Sequence, residues 1–494
     1  MAKSKQRIEF GDFQTPRPLA DAICGLLQRR GTNPASIVEP TCGQGTLLLS
    51  ALEHFPTPIA AVGLDVNAAH LASLREQLAG RANERKVRLV HANFFDTDWA
   101  AMLADLPEPI LVVGNPPWVT NAELGSLGGD NLPQKSNFQK HAGYDAVTGK
   151  SNFDISEWML IRLLESLNGR RGTLAMLCKT AVARKLLLHA WKHDLQLNAA
   201  ALYGIDADAH FHASVDACLL VCDFQAGCRQ KAATVHTSLE ANRSVSDLGW
   251  RAGRVVADMG AFDRWSHLVR TEPDNDYAWR SGVKHDCASV MELRGAAGDW
   301  RNKLGEPAGI EPAYVYPMLK SSEIASGRTK HPANWMIVTQ SAIHAPTDVI
   351  REVAPKTWAY LVAHASLLDG RRSSIYRNRP RFSVFGVGDY TFAPWKVAIS
   401  GFYKQLNFAV AGSYQGKPVV FDDTVNFLAC HSKREADMIA GLLNSEPARE
   451  FLSALVFWDS KRPITVDVLR RLDLRNLADH FGRSRELERL GFRG

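Results

Sequence analysis

Short apolar runs bounded by turn residues alternate with stretches whose apolar positions recur every three or four residues, and this alternation organises the chain up to about residue 225. The runs Ser36 to Glu39, Ile59 to Asp65, Val87 to Phe95, Ile110 to Val113, Thr173 to Leu177 and Ala217 to Val221 predict strands. Between them, Leu19, Ile23, Leu26 and Leu27 give the segment Pro18 to Leu27 helical spacing, and a Leu-rich helix opens at Thr46. Trp158, Met159, Leu160, Leu163 and Leu164 form the apolar face of another helix, capped by Ser151-Asn152-Phe153-Asp154. Strands alternating with helices predict an α/β fold with a doubly wound sheet and helices on both faces. The chain is too long at 494 residues for one ordinary domain, and we expect two, at 1–240 and 241–494. In the second, Trp395, Phe402 and Tyr403 and a helix-like run from Glu435 to Leu455 suggest a mixed α/β domain; no internal repeat is found.

The strand Ile110 to Val113 has the continuous apolar character of a central parallel strand, and it stops at Gly114-Asn115-Pro116-Pro117-Trp118. Prolines have no backbone donor, so the ladder ends there, and they restrict the residue before them. Asn115 and the Pro116 carbonyl are thereby held at the carboxyl end of a strand, where open α/β sheets bind ligands. An amide oxygen beside a carbonyl oxygen offers two acceptors for the two N–H bonds of an exocyclic amine, and Trp118 offers a face for a planar base.

Two earlier strand ends carry complementary chemistry. Pro40-Thr41-Cys42-Gly43-Gln44-Gly45-Thr46 is a small-residue turn into a helix, where glycines admit close backbone approach and free N–H groups suit a carboxylate. There is no third glycine of a dinucleotide fingerprint. Asp65 ends the next strand about twenty residues on, as ribose recognition requires, with a helix N-cap as the alternative role.

These segments resemble the motifs of amino-methylating DNA methyltransferases: Phe13-Gln14-Thr15-Pro16 is similar to motif X, the glycine turn to motif I, and Asn93-Phe94 to motif III, where the family often has Asp. Asn115-Pro116-Pro117-Trp118 resembles motif IV, Ser151 to Asp154 motif V, and His210-Phe211-His212 with its following strand motif VIII. The motif order is that of the gamma group, which methylates adenine N6, and the resemblance covers residues 10–225. It implies a Rossmann-like sheet, S-adenosylmethionine as cofactor, and double-stranded DNA as partner. Cofactor contacts would fall to Thr15, Glu39, Cys42, Gly43, Gly45, Asp65, Val66, Asn93 and Phe94. Catalysis would fall to Asn115, Pro116, Pro117 and Trp118, with Phe211 stacking on the extruded base opposite Trp118 or else serving as core. Gly282 to Cys287 and Tyr316 to Ile324 look like segments of target-recognition regions. The expectation is a site-specific adenine methyltransferase of a restriction–modification system, with any cognate endonuclease on a separate chain. Methylation of RNA or of protein glutamine, and a specificity protein without catalysis, are the alternatives.

Charge sharpens this picture. Residues 1–240 carry 23 Lys+Arg against 24 Asp+Glu and residues 241–494 carry 35 against 28, so the second half is the basic one, consistent with a polyanionic partner. Arg371, Arg372, Arg377, Arg379 and Arg381 fall in one short run around Tyr376 and are the expected DNA contacts, a solvated loop being the alternative. The eight cysteines form no Cys-x-x-Cys pair, and His189 and His193 lack an accompanying acid, so no metal is expected. No apolar run reaches the length of a membrane span and the basic start leads into no secretory-type run, which suggests a cytoplasmic protein. The polar, Gly-rich stretch after Trp118, through Gly149, is expected as a loop, either closing over DNA or without fixed structure.

Overall fold

The computed structural model describes residues 14–119, 154–271, 277–296 and 298–490. Phe13, the Gly-rich stretch from residue 120 on and residues 151–153 of the expected helix cap lie outside them. Contacts divide the chain into two compact units, Met1–Met259 and Gly260–Gly494.

The first unit is built on β1 (Ser36–Glu39), β2 (Ala60–Asp65), β3 (Val87–His91), β4 (Ile110–Gly114), β5 (Gly172–Lys179), β6 (Leu197–Ile205) and β7 (Ala217–Phe224). Their order across the sheet is β3-β2-β1-β4-β5-β7-β6, all parallel except β7, which runs antiparallel to both neighbours. The sheet continues through β8 (Ala232–His236), β9 (Ser246–Arg251) and β10 (Arg254–Val256), which is why this unit reaches past residue 240. Helices α1 (Arg17–Arg29), α2 (Thr46–His54), α3 (Ala68–Leu78), α4 (Trp99–Ala104), α5 (Ile155–Leu167), α6 (Thr180–Lys192) and α7 (Ala207–Phe211) complete it.

The apolar runs are continuous because successive side chains of one strand enter two different cores. Ile110 and Val112 of β4 pack with Leu174 and Met176 of β5 beneath α5 and α6, whereas Leu111 and Val113 pack with Ile37, Ala175 and Leu177 beneath α1 and α2. Ile110, Leu111, Val112 and Val113 are each at most 1% exposed, and burial of each such side chain contributes roughly 1.5–3 kcal/mol. The chain lays β1 to β3 on one side of the start and β4 and β5 on the other, so a topological switch point falls between β1 and β4, and a crevice opens at their carboxyl ends.

The second unit contains a five-stranded sheet, ordered β13 (Asp299–Asn302), β12 (Glu292–Ala296), β15 (Asn334–Ile337), β14 (Val315–Leu319) and β18 (Val420–Phe421). A four-stranded sheet has the order β11 (Arg280–Ser281), β19 (Val425–Cys430), β16 (Trp395–Ser400) and β17 (Ala409–Gly412). The run expected as one helix from Glu435 to Leu455 is two, α8 (Lys433–Leu443) and α9 (Glu446–Ser453); Pro447 lacks the donor an uninterrupted helix needs and sits instead in the first turn of α9. The two segments similar to target-recognition regions meet at one buried carboxylate: Glu292 pairs with His285 at 3.4 Å, Lys303 at 2.7 Å and Lys320 at 2.5 Å. Burial alone would raise the Glu292 carboxyl, but the bonds from His285, Lys303 and Lys320 outweigh it and hold the group well below the usual range.

Candidate active site

The crevice at the carboxyl ends of β1 to β4 is a cleft of about 970 Å3, open mouth included, lined by residues from four successive strand ends and from the segment before α1. Gln14, Thr15, Glu39, Cys42, Gly43, Asp65, Val66, Asn93, Phe94, Asn115 and Pro117 all face it. Gly45, Pro116, Trp118 and Phe211 do not line it.

The turn between β1 and α2 explains its two glycines. Gly43 has φ +50° and Gly45 φ +81°, in the left-handed region open to glycine at little cost. A Cβ on Gly45 would lie 2.3 Å from the Leu74 side chain, and one on Gly43 would lie 2.7 Å from Gln14. Gly45 is the N-cap of α2 and offers no side-chain acceptor, so the helix start is tied elsewhere: Glu39 Oε2 accepts the Leu48 N–H at 2.9 Å. Burial pushes the Glu39 carboxyl well above the usual range, against the effect of the Leu48 bond, and the nearby Asp65 charge adds to the rise.

Asp65 is not a helix N-cap; Asn67 caps α3 by accepting from the Ala69 N–H. Instead the Asp65 carboxylate joins two turns, accepting from the Gly43 N–H at 2.8 Å and the Asn67 N–H at 2.7 Å while lining the cleft. Asn93 accepts from the Phe95 N–H at 3.0 Å, which folds the chain after β3 into a short turn and sets Phe94 against Trp99.

Asn115 follows β4 directly. Its Nδ2 donates to Thr15 Oγ1 at 3.4 Å, so Thr15, 7% exposed, links the segment before α1 to the strand end; Pro16 holds the cap position of α1. The chain beyond Pro117 is tethered by Lys179, whose Nζ donates to the Trp118 carbonyl at 3.0 Å and to Asp154 Oδ2 at 2.6 Å, while Asp154 caps α5. Trp118 Nε1 donates to the Leu177 carbonyl.

Trp118 and Phe211 come together, but not as two walls of a slot. Their ring centroids are 5.2 Å apart at 68°, an edge-to-face contact with no room for a base between them, and Phe211 is 8% exposed in the core beside α1 and α2. Among residues not assigned to the site from the sequence, Thr41, His70 and Met159 also line the cleft. The Thr41 hydroxyl is buried without a hydrogen-bond partner among the described residues, a polar atom that a cofactor's own polar groups would satisfy. Its place inside the glycine turn was the available signal; His70 and Met159 carry none outside the folded chain.

In the second unit the arginine run is largely committed to the fold. Arg371 donates to the carbonyls of Leu368, Ser383 and His285 and stacks over Tyr376 at 3.8 Å, Arg379 meets His344 at 2.6 Å, and Arg381 pairs with Asp369 at 2.7 Å. Arg371 is therefore a structural tie rather than a free DNA contact. Arg372 and Arg377 are exposed and make no ion pair or side-chain hydrogen bond among the described residues. No cluster of metal-ligating side chains and no helix long and apolar enough to cross a membrane occurs among the described residues. His193 caps α6 and His189 faces Glu165 at 3.2 Å.

A family model described as N-6 DNA Methylase matches residues 2–184. The chain is 44% identical over 474 residues to the type II methyltransferase M.NspV of Nostoc sp. (strain ATCC 29411 / PCC 7524), covering 96% of this chain and 98% of that protein. Among solved structures, the type IIL restriction–modification enzyme MmeI in complex with DNA matches in fold, with a TM-score of 0.50 and 12% identity over 100% of this chain and 78% of that one. The sheet order, the cleft at its switch point and a relative of nearly full length agree, and the chain belongs to the N-6 DNA methylase family, enzymes that transfer a methyl group from S-adenosylmethionine to adenine N6 in DNA.

Proposed function

We propose that the first unit is the catalytic domain and that Asn115, with the Pro116 carbonyl, takes the two N–H bonds of the target adenine amine. The observation that carries this is the convergence of Asn115, Asp65, Glu39 and the glycine turn on one cleft, with Asn115 at the end of the strand beside the switch point. S-adenosylmethionine, when bound, supplies an electrophilic methyl group. Asp65 would accept from the ribose hydroxyls, Asn93, Val66 and Phe94 would hold the cofactor's adenine, and Glu39, Thr15 and the Gly43 turn would hold its amino-acid end. Asn115 and the Pro116 carbonyl would accept from the amine and stabilise the positive charge that develops on it as its lone pair bonds the methyl carbon and the carbon–sulfur bond breaks, with S-adenosylhomocysteine as the leaving group and the surplus proton lost to solvent. The base reaches them only after leaving the duplex stack.

The Trp118 and Phe211 contact gives this extrusion a specific form. The pair is closed in the present conformation, and the base enters by displacing one ring from the other, exchanging an edge-to-face contact for stacking. The second, more basic unit serves target recognition. The whole acts in the cytoplasm as the modification half of a restriction–modification pair whose endonuclease is a separate chain. Modified-base sequencing of DNA from cells expressing the chain, beside its Asn115→Ala variant, tests the reading: N6-methyladenine at one recurrent sequence is expected with the parent chain and none with the variant. Methylation at that sequence by the variant would remove Asn115 from the chemistry.

A further inference from the structure

Two arginine guanidiniums of the second unit that lie outside the 371–381 run are stacked on aromatic rings at the rim of one groove. Arg280, at the start of β11, lies over the Tyr390 ring with its Cζ 4.7 Å from the centroid, and Arg462 lies over Phe402 at the same 4.7 Å. The groove, about 1050 Å3 with its open mouth, is also lined by Lys284 and Arg470, and Asp423 is its only acidic residue among the described residues. Asp423 Oδ2 accepts from both terminal nitrogens of Arg462, at 3.4 and 3.5 Å, and Arg280 and Arg470 make no ion pair among the described residues.

Its floor is closely packed at two glycines. A Cβ on Gly282 would stand 2.1 Å from the Asp422 carbonyl oxygen, and one on Gly386, at φ +71°, would stand 2.8 Å from that of Gly282. Three backbone segments thus meet beneath the cations, closer than any side chain would permit. A guanidinium held flat on a ring loses little freedom on binding, and its N–H edge, unpaired on Arg280 among the described residues and shared with Asp423 on Arg462, matches the paired oxygens of a phosphate.

We propose that this groove, rather than the 371–381 run, is where the second unit grips the phosphodiester backbone of the target duplex, with Arg280 and Arg462 as ring-held forks and Lys284 and Arg470 as added charge. The proposal rests on the reading of the second unit as the DNA-contacting one. It explains why a Gly-Val-Lys segment sits here: Gly282 permits the floor and Lys284 joins the rim.

The test compares Arg280→Gln with Arg470→Gln, chosen because neither residue has an ion pair among the described residues, and with the double variant Arg372→Gln/Arg377→Gln. Binding of full-length protein to a cognate duplex is measured across a salt series, with cofactor affinity and thermal unfolding as controls. Each groove variant should weaken binding and make the slope of log affinity against log salt shallower by about one, the release of one phosphate contact, with cofactor affinity unchanged. An unchanged slope in both groove variants beside a shallower slope in the Arg372/Arg377 variant would overturn the groove while keeping the unit on DNA. Unchanged slopes in all three would overturn both. Weaker binding to the cognate sequence alone, at an unchanged slope, would make the arginines base readers and overturn the backbone assignment.

Discussion

Replacing Asp65 by Ala should change two quantities of different origin, and their separation tests the site. In the folded protein the carboxylate accepts two backbone N–H bonds, from Gly43 at 2.8 Å and Asn67 at 2.7 Å. Hydrogen bonds to a charged acceptor contribute roughly 1.5–3 kcal/mol each, so the loss of both should cost about 3 kcal/mol of stability or more. If the same carboxylate also accepts from ribose, cofactor binding should weaken by a similar single increment, about 10- to 150-fold in Kd. A weaker affinity alone would be ambiguous, because a loosened glycine turn also lowers it. The decisive measurement is therefore a cycle: calorimetric affinities of parent and variant for S-adenosylhomocysteine and for its 2′-deoxy and 3′-deoxy analogues. In the parent, removal of a hydroxyl should cost affinity; in Asp65→Ala that cost should vanish. The same deoxy penalty in both proteins would refute the ribose contact and leave Asp65 as the strut between two turns.

Asn115→Ala should lower the single-turnover methylation rate by at least roughly 100-fold, as loss of a preorganised transition-state partner does, with cofactor affinity within about twofold; a near-normal rate would remove it from the reaction. Thr15→Val, which cuts the 3.4 Å tie to Asn115, should give a smaller loss of rate than Asn115→Ala at saturating cofactor. Opening the Trp118 and Phe211 contact costs about 0.5–1.5 kcal/mol and stacking a base returns about 1–3 kcal/mol, so Phe211→Leu should slow methylation of a paired duplex and recover in part on a duplex with an abasic site opposite the target. Equal recovery by Asn115→Ala would show that the assay reports something other than extrusion. Lys396 is enclosed between Phe421 and Phe427 and donates to the carbonyls of Ala393 and Val419; burial draws its pKa down to about 7 from 10.5. The unfolded chain therefore binds more protons between those two values, so stability should rise with pH across that window by about 1.4 kcal/mol per unit at most, and the cost of the buried ammonium is fully present below pH 7. Urea midpoints of the parent and Lys396→Met at pH 6.5 and pH 9 read this out, and a pH-independent difference between them would contradict it.

The strands of the first unit and the residues at their ends were legible in the sequence because a doubly wound sheet converts linear order into position. Each apolar run becomes a strand buried on both faces, and whatever polar residue stops it, Asp65, Asn93 or Asn115, arrives at the same edge of the sheet. Pro116 and Pro117 end β4 by local chemistry alone, and the glycines at 43 and 45 answer a local demand for positive φ. What the folded chain decided are relations between residues far apart in sequence. Thr15 reaches Asn115 across 100 positions and Lys179 holds the Trp118 carbonyl across 61, pairings that no local pattern encodes. Trp118 meets Phe211 edge to face, because Phe211 is drawn into the core beside α1. The second unit shows the limit most plainly. Five arginines close in sequence look like one basic surface, yet Arg371 is consumed by three carbonyls and Arg381 by Asp369, while Arg280 and Arg462, distant in sequence, share a groove. Charge in a sequence states how many cations there are; only packing, which satisfies some of them with buried acceptors and stacks others on rings at a surface, decides which remain for a partner.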